Sequence, residues 1–138
     1  MASRSLSDLT PQAREKCLKW IDACKAEGVD VLVYCTYRSP EEQDELYKIG
    51  REAPGRKVTN AKGGDSLHQY RVAWDAVPLK LGKPQWGDAE SYLKMGRIAE
   101  SMGIEWAGRW KIMRETAHFQ FTNGVTLAEF KSGKVKVA

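Results

Sequence analysis

Residues 66–77, SLHQYRVAWDAV, contain one of the two histidines of the chain and lead into a run of β-branched, aromatic and small residues. That composition predicts a β-strand over residues 71–79. Successive side chains of a strand alternate between its faces, so Asp75 points to the same side as Ala73 and Val77. A carboxylate on a buried face is costly unless a cation or several donors meet it, and a metal ion would meet that need.

The rest of the chain carries further helix and strand signals. Capping residues predict helices that begin after Thr10, Ser39, Asp88 and Thr126, and the first three end near Gly28, Ile49 and Met102. Residues 29–37, VDVLVYCTY, lack strict alternation, which predicts a strand buried on both faces at the centre of the sheet. A shorter strand is predicted over residues 117–121. Residues 50–66 hold four glycines and predict a long loop, which in a compact domain is often functional.

Length and composition indicate one globular domain over residues 1–138. The hydrophobic share of 42% and the charged share of 29% exclude disordered and fibrous classes. The net charge of +4 is a modest basic excess that would suit an acidic partner, and a solvated surface of mixed charge explains it as well. No run approaches the roughly 20 apolar residues that span a bilayer. The opening residues have no apolar run behind them, which predicts no signal peptide and synthesis in the cytoplasm.

The three cysteines indicate reduced thiols. Cys17 and Cys24 lie seven positions apart on the first predicted helix, about 10.5 Å along its axis and too far for a disulfide. Neither belongs to a CxxC pair, so zinc-finger and thioredoxin-like readings have no basis. We therefore expect small buried thiols.

Chemistry centres on the only two histidines, His68 and His118. Together with Asp75 they would give zinc three protein ligands and leave a fourth position for water, as in catalytic zinc sites. Glu115, three residues before His118, is then the natural unliganded carboxylate to move protons. Spacing alone leaves alternatives open, because each histidine is also explained as a surface or core residue, Asp75 as a hydrogen-bonded strand-end residue and Glu115 as solvent-exposed.

A family resemblance covers roughly residues 8–121. The run VTNAKGGDSLHQYRVAWDAVP, with TYRSPEEQDELYKIGR before it and GIEWAGRW and HFQF after it, resembles the zinc peptidases of the M15 family. This family contains D-alanyl-D-alanine carboxypeptidases and dipeptidases, and the L-alanyl-D-glutamate endopeptidases of phage endolysins and bacterial wall hydrolases. The resemblance implies an α+β fold of the Hedgehog/DD-peptidase type, with a small, largely antiparallel sheet, flanking helices and a zinc-binding cleft.

The resemblance also implies roles for individual residues. It places one Zn²⁺ ion on His68, Asp75 and His118, and the catalytic carboxylate on Glu115. It makes Arg38 the residue that contacts substrate and oxyanion, and it gives Ser66 a part in orienting the substrate or the first ligand.

Two tryptophans are further candidates for the site, and three positions depart from the family pattern. Trp110 and Trp106 are candidates for lining a substrate groove, with packing in the core as the alternative. The chain departs from the family pattern where Arg71 replaces a glycine, where the bulky Trp74 precedes Asp75 and where Arg109 replaces an acidic residue. If that glycine needed positive φ, Arg71 implies strain or a rebuilt turn.

The expected function is zinc-dependent hydrolysis of the L-Ala–D-Glu bond in the peptidoglycan stem peptide by an endolysin that lyses its host. The protein would be a monomer without a separate wall-binding domain or stable membrane association, made in the host cytoplasm and reaching the wall after the membrane is permeabilised. One alternative is a D-alanyl-D-alanine carboxypeptidase or dipeptidase. Another is a non-catalytic zinc-binding module, in which Arg71 and Arg109 have made the cleft unable to catalyse hydrolysis. A nucleic-acid-binding domain is a distant third, since no recognition helix or stacking motif supports it.

Overall fold

The computed structural model describes residues 2–111 and 114–133, in which the chain forms four α-helices, five β-strands and three short 3₁₀-helices. The α-helices are α1 (Pro11–Ala26), α2 (Pro40–Lys48), α3 (Ala89–Ser101) and α4 (Leu127–Ser132). The strands are β1 (Asp30–Cys35), β2 (Ala73–Lys80), β3 (Lys83–Pro84), β4 (Glu105–Trp106) and β5 (His118–Gln120). The 3₁₀-helices span Leu6–Asp8, Leu67–Tyr70 and Ala107–Arg109.

The predicted capping residues begin the α-helices. Ser39 Oγ accepts from the backbone N–H of Glu42 at 3.1 Å, while the Glu42 carboxylate accepts from the Ser39 N–H at 3.0 Å. The same reciprocal pair joins Thr126 to Glu129. These bonds satisfy N–H groups that have no partner within the helix, which confirms the predicted starts.

The five strands form one antiparallel sheet in the order β1-β2-β5-β4, with β3 paired to β2. The prediction that residues 29–37 form the central, doubly buried strand was wrong, because β1 lies at the edge and most of its side chains are only partly buried. β2 is an inner strand, flanked by β1 and β5. The apolar composition of residues 29–37 misled the prediction, because it does not distinguish an edge strand from a central one.

Alternation along β2 and β5 gives the sheet a core face and a site face. Trp74 lies opposite Phe119 in the register, and Asp75 lies opposite His118. Trp74 and Phe119 form an aromatic cluster with Trp20 of α1, which lies 4.5 Å from Phe119 between ring centroids. All three rings are fully buried. Because neighbouring side chains point to opposite faces, this packing directs Asp75 and His118 away from the cluster.

The thiols agree with the sequence expectation. Cys17, Cys24 and Cys35 are buried and unpaired. Burial raises the pKa of the Cys24 thiol to about 12 and that of Cys17 further, so neither provides a reactive thiolate. In the described residues, no helix has the length and apolar character that crossing a membrane requires.

Candidate active site

Two structural elements bring the histidines to one carboxylate. The β2–β5 pairing holds His118 Nδ1 at 3.2 Å from Asp75 Oδ1. The 3₁₀-helix Leu67–Tyr70 places His68 Nε2 at 3.3 Å from the same oxygen. His68 is 2% exposed and His118 is 7% exposed, so the three groups meet at the base of a cleft.

Hydrogen bonds behind each imidazole decide which nitrogen faces Asp75. His68 Nδ1 donates to the Thr36 carbonyl at 2.8 Å, which leaves Nε2 with a lone pair toward the cleft when the ring is neutral. His118 Nε2 lies 2.9 Å from Gln120 Oε1 and donates to it, which leaves Nδ1 toward the cleft. Gln120 Nε2 in turn donates to the Glu105 carboxylate at 3.2 Å, which sets the orientation of the amide.

The electrostatics favour a cation at this position. Burial lowers the pKa of His68, but the adjacent Asp75 carboxylate outweighs burial and raises that pKa above its ordinary value. Burial likewise raises the pKa of Asp75, whereas its contacts with His68 and His118 lower the pKa well below the usual range. The carboxylate is therefore ionised and balanced by positive charge, a balance that a metal ion would also provide.

Two of the separations within the donor set match those of a tetrahedral metal ion. Zinc bonds of about 2.0–2.1 Å to nitrogen and oxygen place adjacent tetrahedral ligands about 3.3 Å apart. The two nitrogens lie 3.3 and 3.2 Å from Asp75 Oδ1, close to this separation. Two imidazole nitrogens and one carboxylate oxygen are also the ligand types of an open, catalytic zinc site.

Cys35 lies beside this set. Its Sγ belongs to a group with His68 and Asp75 whose ligand atoms all lie within 4.8 Å of one another. The sulfur approaches His68 at Nδ1, 3.7 Å away, which is the nitrogen that also bonds to Thr36. Nδ1 and Nε2 point in different directions, so the thiol and Asp75 contact different edges of the ring. We therefore expect Cys35 to pack against the site and His118 to provide the third ligand.

Arg38 follows β1 and precedes α2, where its side chain reaches Asp75. Its Nη2 lies 3.7 Å from Asp75 Oδ2, and its side chain is only 17% exposed. Nη1 donates to Gln43 Oε1 at 2.9 Å. The guanidinium is thus a largely buried positive charge at the edge of the cleft, suited to an anionic oxygen of a ligand.

Glu115 lines the same cleft, which has a volume of about 700 Å³, and is exposed to solvent. Two bonds hold its segment of backbone: the Glu115 N–H donates to the Ala107 carbonyl at 3.2 Å, and the Trp106 indole N–H donates to the Thr116 carbonyl at 2.8 Å. An anchored backbone with an accessible carboxylate suits a group that exchanges protons with a ligand or water.

Ser66 and Trp110 also line the cleft. Ser66 Oγ accepts from the His68 N–H at 3.3 Å and thereby caps the 3₁₀-helix that carries this histidine. The Trp110 ring is 36% exposed, with its centroid 5.8 Å from that of His118. Trp106, by contrast, is buried and packs in the core, which settles the alternative left open for that residue.

The departures from the family pattern lie away from the cleft lining. Arg71 has φ 65° and ψ 28°, so this position does have the positive φ on which the expectation of strain or a rebuilt turn depended. Its guanidinium stacks on Tyr37 at 4.0 Å and lies 3.6 Å from the Asp8 carboxylate. Arg109 forms an ion pair with Glu100 at 3.1 Å. Neither arginine is among the residues that line the cleft.

Sequence reasoning missed the residues that support the site, chiefly Thr36, Cys35, Gln43 and Gln120. Thr36 acts through its backbone carbonyl, which leaves no trace in residue type. Gln43 did carry a signal, because it lies three residues before Leu46, and therefore shares its side of the short helix α2. A polar residue at such an inward position predicts a buried hydrogen-bonding role.

A cleft with two histidines and a carboxylate at its base, on a small antiparallel sheet, is typical of metal-dependent hydrolases. Comparison with known proteins gives the family. The VanY profile, described as D-alanyl-D-alanine carboxypeptidase, matches residues 6–123, and the chain belongs to this family. This confirms the resemblance to M15 peptidases.

Two relatives of known name are similar in sequence. The peptidoglycan L-alanyl-D-glutamate endopeptidase CwlK of Bacillus subtilis (strain 168) is 36% identical over 123 residues, covering 83% of this chain and 74% of CwlK. The L-alanyl-D-glutamate peptidase of Listeria phage A118 is 30% identical over 118 residues, covering 84% of this chain. The matched part is only 38% of the phage protein's length.

Solved structures share the fold. The L-Ala D-Glu endopeptidase ChiX of Serratia marcescens aligns with a TM-score of 0.61 and 25% identity over 88% of this chain and 89% of ChiX. A vancomycin-resistance D,D-pentapeptidase VanY in complex with Zn(II) aligns with a TM-score of 0.65 and 16% identity, covering 94% of this chain and 81% of that one. The expected α+β class with a small antiparallel sheet is thus confirmed.

Proposed function

We propose that the protein is a zinc-dependent peptidoglycan peptidase that hydrolyses the L-Ala–D-Glu bond of the stem peptide. The observation that carries this proposal is the convergence of His68 Nε2 and His118 Nδ1 on one oxygen of Asp75, in a cleft that Glu115 also lines. The names of CwlK, the phage peptidase and ChiX support the choice of bond.

His68, Asp75 and His118 would hold one zinc ion. When bound, zinc polarises the scissile carbonyl and lowers the pKa of a bound water toward about 7. The chain supplies the remaining chemistry. Glu115 accepts a proton from the attacking water and delivers it to the departing amine, because it is an accessible carboxylate outside the ligand set.

Arg38 would stabilise negative charge in the cleft. Its guanidinium lies close enough to Asp75 to border the ligand set, while its position on the cleft wall leaves it accessible to a bound substrate. A developing oxyanion or a substrate carboxylate would be stabilised by this fixed charge. Ser66 and Trp110, which also line the cleft, would contact the peptide.

The substrate class follows from charge as well as from the relatives. The stem peptide carries carboxylates, which suit a chain of net charge +4 with an arginine in the cleft. We further propose that the chain acts as a monomeric endolysin, made in the host cytoplasm and acting on the wall after the membrane is permeabilised. The phage relative supports this setting.

A second candidate is D-alanyl-D-alanine carboxypeptidase or dipeptidase activity, which the description of the matching family favours. The third candidate is a non-catalytic zinc-binding module, and it was argued from disruption of the cleft by Arg71 and Arg109. Arg71 and Arg109 make contacts with Tyr37, Asp8 and Glu100 outside the cleft lining, so they do not obstruct it.

Mass spectrometry of soluble products from purified Gram-negative peptidoglycan tests these alternatives. The zinc-supplemented protein should release fragments with new D-Glu amino termini, and a zinc chelator should abolish them. Free D-Ala released from a pentapeptide stem would instead establish the carboxypeptidase, and D-Ala released from supplied D-Ala-D-Ala would establish the dipeptidase. Zinc binding without any product would establish the binding module.

A further inference from the structure

The Gln43 side chain lies between the cleft arginine and the long loop. It is 1% exposed and belongs to the inward side of α2. Its Oε1 accepts from Arg38 Nη1 at 2.9 Å, and its Nε2 donates to the Ala61 carbonyl at 2.9 Å and to Thr59 Oγ1 at 3.3 Å. Gln69 Nε2 also approaches Oε1, at 3.4 Å. One buried amide therefore connects the arginine with the wall of the cleft.

The partners leave one orientation for this amide. Arg38 offers only donors, and the Ala61 carbonyl is only an acceptor, so Oε1 must face the arginine and Nε2 must face the loop. With Thr59 and Gln69 included, both lone pairs and both hydrogens of the amide have partners. A fully satisfied buried amide is rigid, since any rotation leaves a desolvated polar atom without a partner.

Gln43 makes the closest side-chain hydrogen bond of Arg38 among those described. The other polar contacts of the guanidinium are 3.4 Å to Cys35 Sγ and 3.7 Å to Asp75 Oδ2, both long or weak. A neutral amide also differs from a carboxylate in that it orients the guanidinium without neutralising it. The positive charge remains available to an anionic oxygen in the cleft.

We propose that Gln43 is a positioning residue that holds the Arg38 guanidinium in its orientation toward the metal-ligand set. The orientation follows from the geometry alone. Its effect on catalysis rests on the proposed function, in which Arg38 stabilises negative charge on the substrate.

Three substitutions distinguish the hydrogen bond that Gln43 accepts from Arg38 from the hydrogen bonds that it donates to the loop. Gln43→Met keeps a similar volume and removes both sets of hydrogen bonds. Gln43→Glu keeps an acceptor for Arg38, but adds a charge and loses the donor to Ala61. Thr59→Val removes one acceptor on the loop side and leaves the bond between Gln43 and Arg38 unaltered.

The first measurement is ¹⁵N relaxation of the Arg38 Nε–H group in the zinc-supplemented full chain, with thermal unfolding of each variant alongside. We expect Arg38 to lose order in Gln43→Met and to keep wild-type order in Gln43→Glu and Thr59→Val. Wild-type order of Arg38 in a folded Gln43→Met protein would overturn the proposal. If Gln43→Met does not fold, loss of Arg38 order in folded Gln43→Glu would overturn it, because that variant retains the acceptor.

The second measurement is kcat and KM on a soluble muropeptide. Misplacing a positioned group typically costs up to about 100-fold in rate, so we expect Gln43→Met to lose about 10–100-fold in kcat/KM. Gln43→Glu should also lose activity although Arg38 stays ordered, because the carboxylate neutralises the guanidinium. Wild-type kcat/KM of folded Gln43→Met or folded Gln43→Glu would contradict the proposed effect of Gln43 on catalysis. If the wild-type chain cleaves no muropeptide, the proposed function fails, while the relaxation data still decide whether Gln43 positions Arg38.

Discussion

His118 Nδ1 and Asp75 Oδ1 lie 3.2 Å apart across the β2–β5 pair, in the register position next to that of Trp74 and Phe119. The site is therefore built on the same two strands as the aromatic core, one residue after Trp74 on β2 and one residue before Phe119 on β5. Rigid packing on one face of the sheet supports exact placement of polar groups on the other, a typical arrangement for pre-organised sites.

Asp75→Asn should weaken zinc binding. The amide keeps the shape of the side chain but removes the negative charge that balances the histidines and a metal ion. Competition with a chromophoric chelator would measure the change. Asp22→Asn, an exposed position on α1, is the matched control and should bind zinc like the wild type. Equal affinity in Asp75→Asn would remove Asp75 from the ligand set.

Glu115→Gln should abolish most turnover while zinc remains bound. Loss of a general base typically costs about 10²–10⁴-fold, and the amide cannot accept the proton of the attacking water. Metal content by mass spectrometry and kcat on a soluble muropeptide would be measured on one preparation. Glu90→Gln, exposed in the first turn of α3, is the control. A turnover close to wild type in Glu115→Gln would exclude the assigned role.

Gln120→Met should lower zinc affinity by about 10–100-fold, the usual effect of removing a partner that orients a ligating histidine. Without the bond from His118 Nε2 to Gln120 Oε1, the ring is free to rotate and to change its tautomer. Glu105→Gln should have a smaller effect, because Glu105 acts on His118 only through Gln120. Chelator competition would rank the two variants, and the reverse order would contradict this account.

Arg71→Gly should be more stable than Arg71→Ala by about 1 kcal/mol, because glycine adopts the left-handed conformation without the steric cost of a Cβ atom. Both variants lose the stacking on Tyr37 and the contact with Asp8, so those losses cancel in the comparison. Urea unfolding would measure the difference. Equal stability of the two variants would show that this turn relaxes when Arg71 is replaced.

Gly108→Ala should disturb both stability and activity. A Cβ atom there would overlap the Trp106 ring, whose N–H supports the segment that carries Glu115. Overpacking of a core typically costs about 1–3 kcal/mol. Gly87→Ala is the control, because no atom lies within 4 Å of the added Cβ and its φ is not in the left-handed region. Unfolding midpoints and kcat for the two variants would be compared.

Local signals in the sequence were sufficient for the helices and for the inner strand. Helix starts depend on a capping side chain and its own neighbours, so Ser39 and Glu42 could be read without tertiary information. The left-handed conformation of Arg71 was only a conditional expectation, because it depended on whether the glycine of the family pattern needed positive φ. The position of β1 could not be read in this way, because apolar composition does not distinguish an edge strand covered by a helix from a central one.

The sequence by itself determined which residues could provide the chemistry: two histidines, a carboxylate on a strand and a glutamate three residues before the second histidine. The tertiary structure decided how they are arranged. Strand register made His118 and Asp75 neighbours, and the Thr36 carbonyl and the Gln120 amide oxygen selected the nitrogen that each imidazole directs to the cleft. These contacts join groups up to 43 positions apart, and only packing of the whole chain brings such groups within hydrogen-bonding distance.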